Sequence, residues 1–316
     1  MSIQARSSGL LDAIGKTPLV ELSRSTKGEA FRIWAKLEYL NPGGSIKDRI
    51  ALHMVEKAER EGRLKSGDIL LENSSGNTAM GLALVALQKG YRCRIVIRDT
   101  TSREKIRMLQ HLGVEVVQVD ASLSPDDDKS YNQYARVLAA QSPELFYVDQ
   151  HNNLDNNEAH YLTTGPEIWQ QMEGRIDCLV VGIGTGGTIC GAGRYLKERD
   201  PAIRTVGVDP SGSVFYDYFH SQTMIPPRRY HLEGLGDEFI LPTVEWEYID
   251  DILRIDDQTA FEWTLRLART EGIIAGGSSG AALWGAFEAT RRLGPDARIV
   301  TVFPDSGYKY CSSIYK

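Results

Sequence analysis

Cys178-Leu179-Val180-Val181-Gly182-Ile183-Gly184-Thr185-Gly186-Gly187-Thr188 passes from an apolar run of strand character through a glycine-rich turn into a helix that ends near Glu198. Strand, tight turn and helix in that order make half of a parallel crossover unit. The same rhythm extends in both directions. Upstream, strand-like runs fall at 33–36, 69–72, 92–97, 114–119 and 146–148. Helical patterns separate them at 79–89, stopped by Gly90, and at 102–112, stopped by Gly113. A turn at 124–128 precedes a helix through Ala140, and 156–172 is helical with Gly165-Pro166 as its expected break. Downstream come strands at 205–209 and 299–303 and helices at 258–270 and 280–293. Residues 211–250 show no period, and a connector of that length is expected to be functional or mobile. Alternation of this kind specifies an α/β fold with parallel sheets covered by helices on both faces.

A chain of 316 residues suits two domains or one large one. A formal charge of −6 and the lack of a basic block argue against a nucleic-acid partner. No apolar run is long enough to span a membrane, and residues 1–10 are polar with no signal-peptide core. Cys93, Cys178, Cys190 and Cys311 lie far apart without a Cys-x-x-Cys pair, so no zinc site or redox motif is signalled and no metal is expected. Three of them sit among apolar or small residues and read as buried thiols, which fits a reducing cytoplasm.

Gly182, Gly184 and Gly187 satisfy the G-x-G-x-x-G pattern, and Asp209 ends the next strand, formally a dinucleotide-binding fingerprint. Its physics is broader, because backbone N–H groups at a helix start bind any phosphate. Thr185 and Thr188 add hydroxyl donors suited to a monophosphate. A plain strand-to-helix turn is the competing account. Ser74-Ser75-Gly76-Asn77-Thr78 forms a second turn of the same type, fit for a small carboxylate or for an ordinary helix cap by Ser75 or Asn77. Gly276-Gly277-Ser278-Ser279-Gly280 is the third. In a doubly wound sheet such turns gather at the carboxyl ends of strands, where ligands bind.

Asn41-Pro42-Gly43-Gly44-Ser45-Ile46-Lys47-Asp48-Arg49 supplies the reactive group. Ser45 and Asp48 have capping-box spacing ahead of a helix with apolar residues at Ile50, Ala51, Met54, Val55 and Ala58. Lys47 then falls in the first turn, where the helix dipole disfavours a cation. That is a poor place for a structural lysine and a good one for an amine that must lose its proton and attack a carbonyl. A solvated lysine on a helix shoulder is the alternative.

With these motifs in this order, the chain resembles pyridoxal-phosphate enzymes of the cysteine synthase and cystathionine β-synthase family from about Leu11 onward. The markers are Gly15-Lys16-Thr17-Pro18-Leu19, residues 42–49, Ser75-Gly76-Asn77-Thr78, residues 184–188 and Gly277-Ser278-Ser279-Gly280. The resemblance implies two open, mainly parallel twisted-sheet domains of the tryptophan synthase β-like fold (fold type II). The cofactor, pyridoxal 5′-phosphate, lies in their cleft. A larger cofactor-binding domain of 11–43 with 147–316 and a smaller mobile one of 44–146 are expected, in a homodimer. Carried over, Lys47 forms the Schiff base and acts as general base, and Asn77 meets the ring hydroxyl. Gly184, Thr185, Gly186, Gly187 and Thr188 hold the phosphate. Ser278 faces the pyridine nitrogen, which a hydroxyl does not keep protonated, favouring β-elimination chemistry. Ser74, Ser75, Gly76, Thr78 and Gln150 hold the substrate carboxylate together with Asn77.

The implied reaction is β-replacement on a serine-type amino acid through an aminoacrylate. Residues 208–213, 233–239, Gly276-Gly277, 157–161 and Pro304-Asp305-Ser306 look more like cystathionine β-synthases, so the leading expectation is L-serine plus L-homocysteine to L-cystathionine. Glu233 then stands at the mouth of the site, able to engage the second substrate's amino group, or is a surface charge on a loop. No haem-binding extension or regulatory tandem domain is expected. Glu72-Asn73-Ser74 and Ala79-Met80 depart from the family pattern, and Asp237 stands where eukaryotic cystathionine synthases carry tyrosine. These changes touch substrate recognition. A cysteine synthase using O-acetyl-L-serine or O-phosphoserine with sulfide is the alternative, and an amine-adding diaminopropionate-type synthase is a further one. A nicotinamide-dependent oxidoreductase would rest on Gly182, Gly184, Gly187 and Asp209 but leave the Lys47 turn unexplained. A non-catalytic binding protein would keep the fold and do without Lys47.

Overall fold

Apolar runs and glycine turns fold into two sheets in the computed structural model, which describes residues 9–316. The polar stretch at 1–8 lies outside the described residues. In chain order the strands are β1 (Leu19–Glu21), β2 (Arg32–Leu37), β3 (Ile69–Asn73), β4 (Arg92–Arg98), β5 (Glu115–Val119), β6 (Leu145–Tyr147), β7 (Cys178–Gly182), β8 (Arg204–Pro210), β9 (Asp251–Ile255) and β10 (Arg298–Phe303). The helices are α1 (Lys47–Arg60), α2 (Asn77–Lys89), α3 (Arg103–His111), α4 (Tyr134–Gln141), α5 (Asp155–Ala159), α6 (Gly165–Gln171), α7 (Gly187–Arg199), α8 (Phe215–Ser221), α9 (Asp257–Glu271) and α10 (Gly277–Leu293). Two units result: one of Asn41–Asp155 with the residues up to Ile14, the other of Gly15–Leu40 with Asn156–Lys316.

The smaller unit holds the sheet β5-β4-β3-β6, all parallel. From β3 the chain winds outward through α2, β4, α3 and β5, then returns to place β6 on the other side of β3. The order therefore switches between β3 and β6. Its core packs Ile69, Leu71, Val96, Val119, Ala135 and Leu145. The larger unit holds β1-β2-β10-β7-β8-β9, parallel except for β1, and switches between β7 and β10. Ile33, Ala35, Val180, Val208, Ala286 and Phe303 lie in its core. Lys36 is fully buried there, with Nζ donating to Thr17 O (2.6 Å), Glu167 Oε2 (2.7 Å) and Gln171 Oε1 (2.9 Å). Its charge is paired and every donor is occupied, as burial of an ammonium requires.

Several expectations are corrected. Gly165-Pro166 does not break its helix, since Gly165 keeps helical backbone angles and Pro166 stands at the start of α6. The irregularity is a π-turn over His160–Thr164, immediately upstream. Proline lacks an N–H, so it is tolerated in the first turn after a π-turn has shifted the register. The capping box of Ser45 and Asp48 does not form. Ser45 Oγ accepts from Lys47 N–H (3.3 Å), while the Asp48 carboxylate takes Gly43 N–H. Helix α4 begins only at Tyr134, because Ser130 and Asp127 hold the preceding residues in turns. The sequence pattern misses β1 and β9 altogether.

Candidate active site

In the smaller unit, one loop carries most of the expected substrate residues to the carboxyl end of β3, at the switch point. Ser74, Ser75 and Gly76 connect β3 to α2, and Asn77 and Thr78 are the first two residues of that helix. Ser74 Oγ accepts from the N–H groups of Gly76 (3.4 Å) and Ala79 (3.3 Å), so Ser74 does the capping expected of Ser75 or Asn77. Ser75 Oγ instead accepts from Thr101 Oγ1 (3.1 Å) and Arg98 N–H (3.4 Å). Gln150 follows β6 on the other side of the switch, and Thr78 donates to its Oε1 at 2.6 Å. Ser74, Thr78 and Gln150 are all buried. The structure thus brings the expected carboxylate-binding residues together.

Lys47 opens α1 within this unit, after a turn in which Gly44 takes φ +75°. Its backbone carbonyl lies against Gly81 of α2. Burial lowers the amine to about 8, with the Glu72 carboxylate pulling the other way. The group still carries its charge for most of the time at physiological pH, but a far larger share of it is neutral than for an ordinary lysine, which suits a nucleophile and base. Two ionisable neighbours carry no motif of their own in the sequence. Glu72, fully buried at the end of β3, is raised to about 8 by burial and then by Asp149. Its Oε2 accepts from Gln150 N–H at 3.4 Å. His151 is lowered to about 4 by burial and then by the charge of Lys47. A carboxylate ending the apolar run Ile69-Leu70-Leu71 was the available signal for Glu72.

In the larger unit, the Gly182–Thr188 turn leaves the carboxyl end of β7 and opens α7. Gly186 has φ +83°, where a side chain would be strained. The first N–H groups of α7 have no intrahelical partner. Thr185 Oγ1 accepts from Asn156 Nδ2 at 2.9 Å, and Thr188 Oγ1 lies 3.2 Å from His160 Nε2. A Cβ at Gly187 would overlap the Asn156 carboxamide oxygen. Asn156 was not singled out from the sequence. Backbone N–H groups, two hydroxyls and a helix N-terminus fit a phosphate monoester. Ser278 is the second residue of α10 and is buried. The turn before it does not follow a strand, contrary to expectation. Ala275 instead bridges to Ser306, and Gly276 N–H donates to Asp305 O (3.1 Å), just beyond β10. The heads of α7 and α10 therefore flank the β7/β10 switch. Glu233 is exposed, on a segment running beside the glycine turn, where Gly236 N–H donates to Ile183 O at 2.7 Å. Asp209 is fully buried and accepts from Tyr216 N–H at 2.9 Å, with burial raising it to about 7. It braces α8 and does not face a ribose.

Residues 10–305 match the family model described as "Pyridoxal-phosphate dependent enzyme". The chain is 41% identical over 303 residues to the cystathionine β-synthase of Apis mellifera, covering 95% of this chain and 60% of that protein. It is 40% identical over 305 residues to that of Mus musculus, covering 96% and 54%. It therefore spans little more than half the length of these animal relatives. A cysteine synthase of Staphylococcus aureus is 42% identical over 303 residues, covering 95% and 94%. Among solved structures, the O-acetylserine dependent cystathionine β-synthase from Helicobacter pylori superposes with a TM-score of 0.89 at 35% identity, over 99% of this chain and 100% of that one. Among the described residues no helix is long and apolar enough to cross a membrane.

Proposed function

The chain belongs to the family of pyridoxal-phosphate dependent enzymes, and from that premise we propose that it performs β-replacement on a serine-type amino acid, joining L-serine to L-homocysteine to give L-cystathionine. The choice of second substrate rests on one neighbourhood of the larger unit. Tyr310 Oη donates to Asp305 Oδ2 at 2.8 Å, and a Cβ on Gly276 would overlap the Asp305 carboxylate. Burial, then Asp305, then Glu233 drive the Tyr310 phenol well above its ordinary range. Glu233, Gly276 and Asp305, three positions where the sequence looks like a cystathionine β-synthase, thus share one region. Carboxylates there suit a nucleophile that carries an ammonium group, which homocysteine does and sulfide does not.

When bound, the cofactor supplies the electron sink for the substrate's α-carbon. Lys47 would hold the cofactor through Nζ, and its amine is the group that would accept the substrate's α-proton. Its lowered amine stays available as a base near neutral pH. Ser74, Ser75, Gly76, Thr78 and Gln150 orient the substrate carboxylate, with Thr78 held in place by its bond to Gln150. Asn77 would meet the cofactor's ring hydroxyl. Gly184, Thr185, Gly186, Gly187 and Thr188 would anchor the phosphate, and Ser278 would offer the ring nitrogen a neutral hydroxyl. Glu233 engages the incoming amino acid.

A second reading keeps homocysteine but takes O-acetyl-L-serine as donor, in line with the O-acetylserine dependence of the Helicobacter pylori enzyme. A third, cysteine synthesis from sulfide, is supported by the Staphylococcus aureus relative. Visible spectra of the purified protein with L-serine and then O-acetyl-L-serine separate the donors, and product analysis with homocysteine or sulfide separates the nucleophiles. A serine-induced band shift with cystathionine formed from homocysteine is expected. Turnover with sulfide alone would overturn the proposal.

A further inference from the structure

His160 and Asn156 lie behind the glycine turn, on the segment that packs against α7, and both are fully buried. Each reaches one of the two threonines of the turn. Asn156 Nδ2 donates to Thr185 Oγ1 at 2.9 Å. His160 places Nε2 at 3.2 Å from Thr188 Oγ1 and Nδ1 at 2.8 Å from Thr164 Oγ1. His160 and Thr164 are the first and last residues of the π-turn, a device that recurs at functional sites. Glycine at 187 and at 191 admits this segment, since a Cβ at Gly187 would overlap Asn156 and one at Gly191 would overlap the Asn157 carbonyl and crowd His160 Cβ.

A hydroxyl has one proton to give and two lone pairs to receive with. Thr185 already receives from Asn156, so its own proton is left for something outside the scaffold. A neutral imidazole between two hydroxyls carries one N–H. If Thr164 donates to Nδ1, that N–H sits on Nε2 and points at Thr188, which is then also left with a proton to give. We propose that Asn156 and His160 are positioning residues that turn the hydroxyl protons of Thr185 and Thr188 toward the ligand, so that the turn presents donors only and selects a fully ionised phosphate monoester. This rests on the assignment of residues 184–188 as the cofactor's phosphate site. A dianionic phosphate has acceptors alone, and a donor-only site at a helix N-terminus matches it without an unmet polar group. The π-turn and the glycines at 187 and 191 thereby acquire one purpose.

Two measurements test this. The first is the imidazole ¹⁵N spectrum of the apoprotein, with the His160 signal assigned by its loss in His160→Gln. The Nε2–H tautomer is expected, and an Nδ1–H tautomer overturns the role of His160. The second is calorimetric binding of pyridoxal 5′-phosphate, of inorganic phosphate and of pyridoxal to the apoprotein. His160→Leu should weaken both phosphate ligands about tenfold, the scale of one hydrogen bond to a charged group, and leave pyridoxal unchanged. In a Thr188→Val background the same change should cost nothing further. Additive losses, or an equal loss for pyridoxal, would make His160 merely structural and overturn the proposal. Should His160→Leu fail to fold, the tautomer of the unaltered protein still decides. A parent protein that binds pyridoxal 5′-phosphate but shows additive losses sinks this inference alone, whereas one that binds none of it sinks the functional proposal.

Discussion

The loop from β3 to α2 and the loop from β7 to α7 occupy equivalent places, each leaving the carboxyl end of a strand at the switch point of its own parallel sheet. Their chemistry differs. Around the first are Lys47, Glu72 and His151, all displaced toward their neutral forms by burial. Around the second stand the fixed dipoles of Asn156, Thr185, Thr188 and a helix start. Topology decides where a ligand binds. Whether the site moves protons or holds charge is decided by what is buried behind the loop.

The sharpest way to break this division is Lys47→Ala. It should abolish the visible cofactor band and lower turnover by about 10³-fold or more, while phosphate affinity of the apoprotein persists. Retained turnover would end the assignment of proton work to the smaller unit.

The next effect is on stability against pH. Glu72 is raised to about 8 in the folded chain, so it contributes stability that is complete below its ordinary value of 4.5 and is lost as pH climbs to about 8. His151, lowered to about 4 from 6.5, contributes in the opposite sense, complete above 6.5 and lost as pH falls toward 4. Glu72→Gln removes the first slope and leaves the second. Urea denaturation from pH 5 to 8 should show the variant gaining on the parent by the order of a few kcal/mol as pH rises. Parallel curves would mean that Glu72 is already ionised.

A smaller effect compares the loops directly. Gly187→Ala forces a Cβ into Asn156 and should cost about 1–3 kcal/mol. Gly76→Ala, with nothing within 4 Å of the added methyl, should cost well under that. Chemical denaturation of both variants checks the ranking. Smallest of all, Glu233→Gln at an exposed site should leave stability within about 0.5 kcal/mol and raise KM for homocysteine a few-fold with kcat unchanged. An unchanged KM would return Glu233 to an ordinary surface charge.

How much was legible follows from where each signal resides. Residues 178–182 are a strand in both sequence and structure because a fully buried central strand is a pure apolar run. Ser74 and Thr78 stand in a turn legible as a motif, whereas Gln150 is implied only by the family resemblance, and their meeting at a switch point follows from the winding order. Strand β1 has three residues and exists through its pairing with β2, and β9 lies on a sheet edge after a long aperiodic stretch, so neither has a local period to find. The Ser45/Asp48 box failed because Gly43 N–H took the Asp48 carboxylate that the pattern reserved for the helix cap. The contacts of Asn156 and His160 were hidden for a related reason. Their partners Thr185 and Thr188 lie 29 and 28 residues away, and only glycines on α7 hint that something packs there.

Strand β10 sits between β2 and β7, pairing Arg298 with Arg32 on one side and Ile299 with Cys178 on the other. The strand made last is therefore central, and the larger sheet cannot close until it has left the ribosome. At about 5–20 residues per second, β2 waits tens of seconds for its neighbour. The smaller unit is complete by Asp155 and faces no such delay. During synthesis β2 and β7 each wait with one edge unpaired, and chaperone demand should concentrate on that interval.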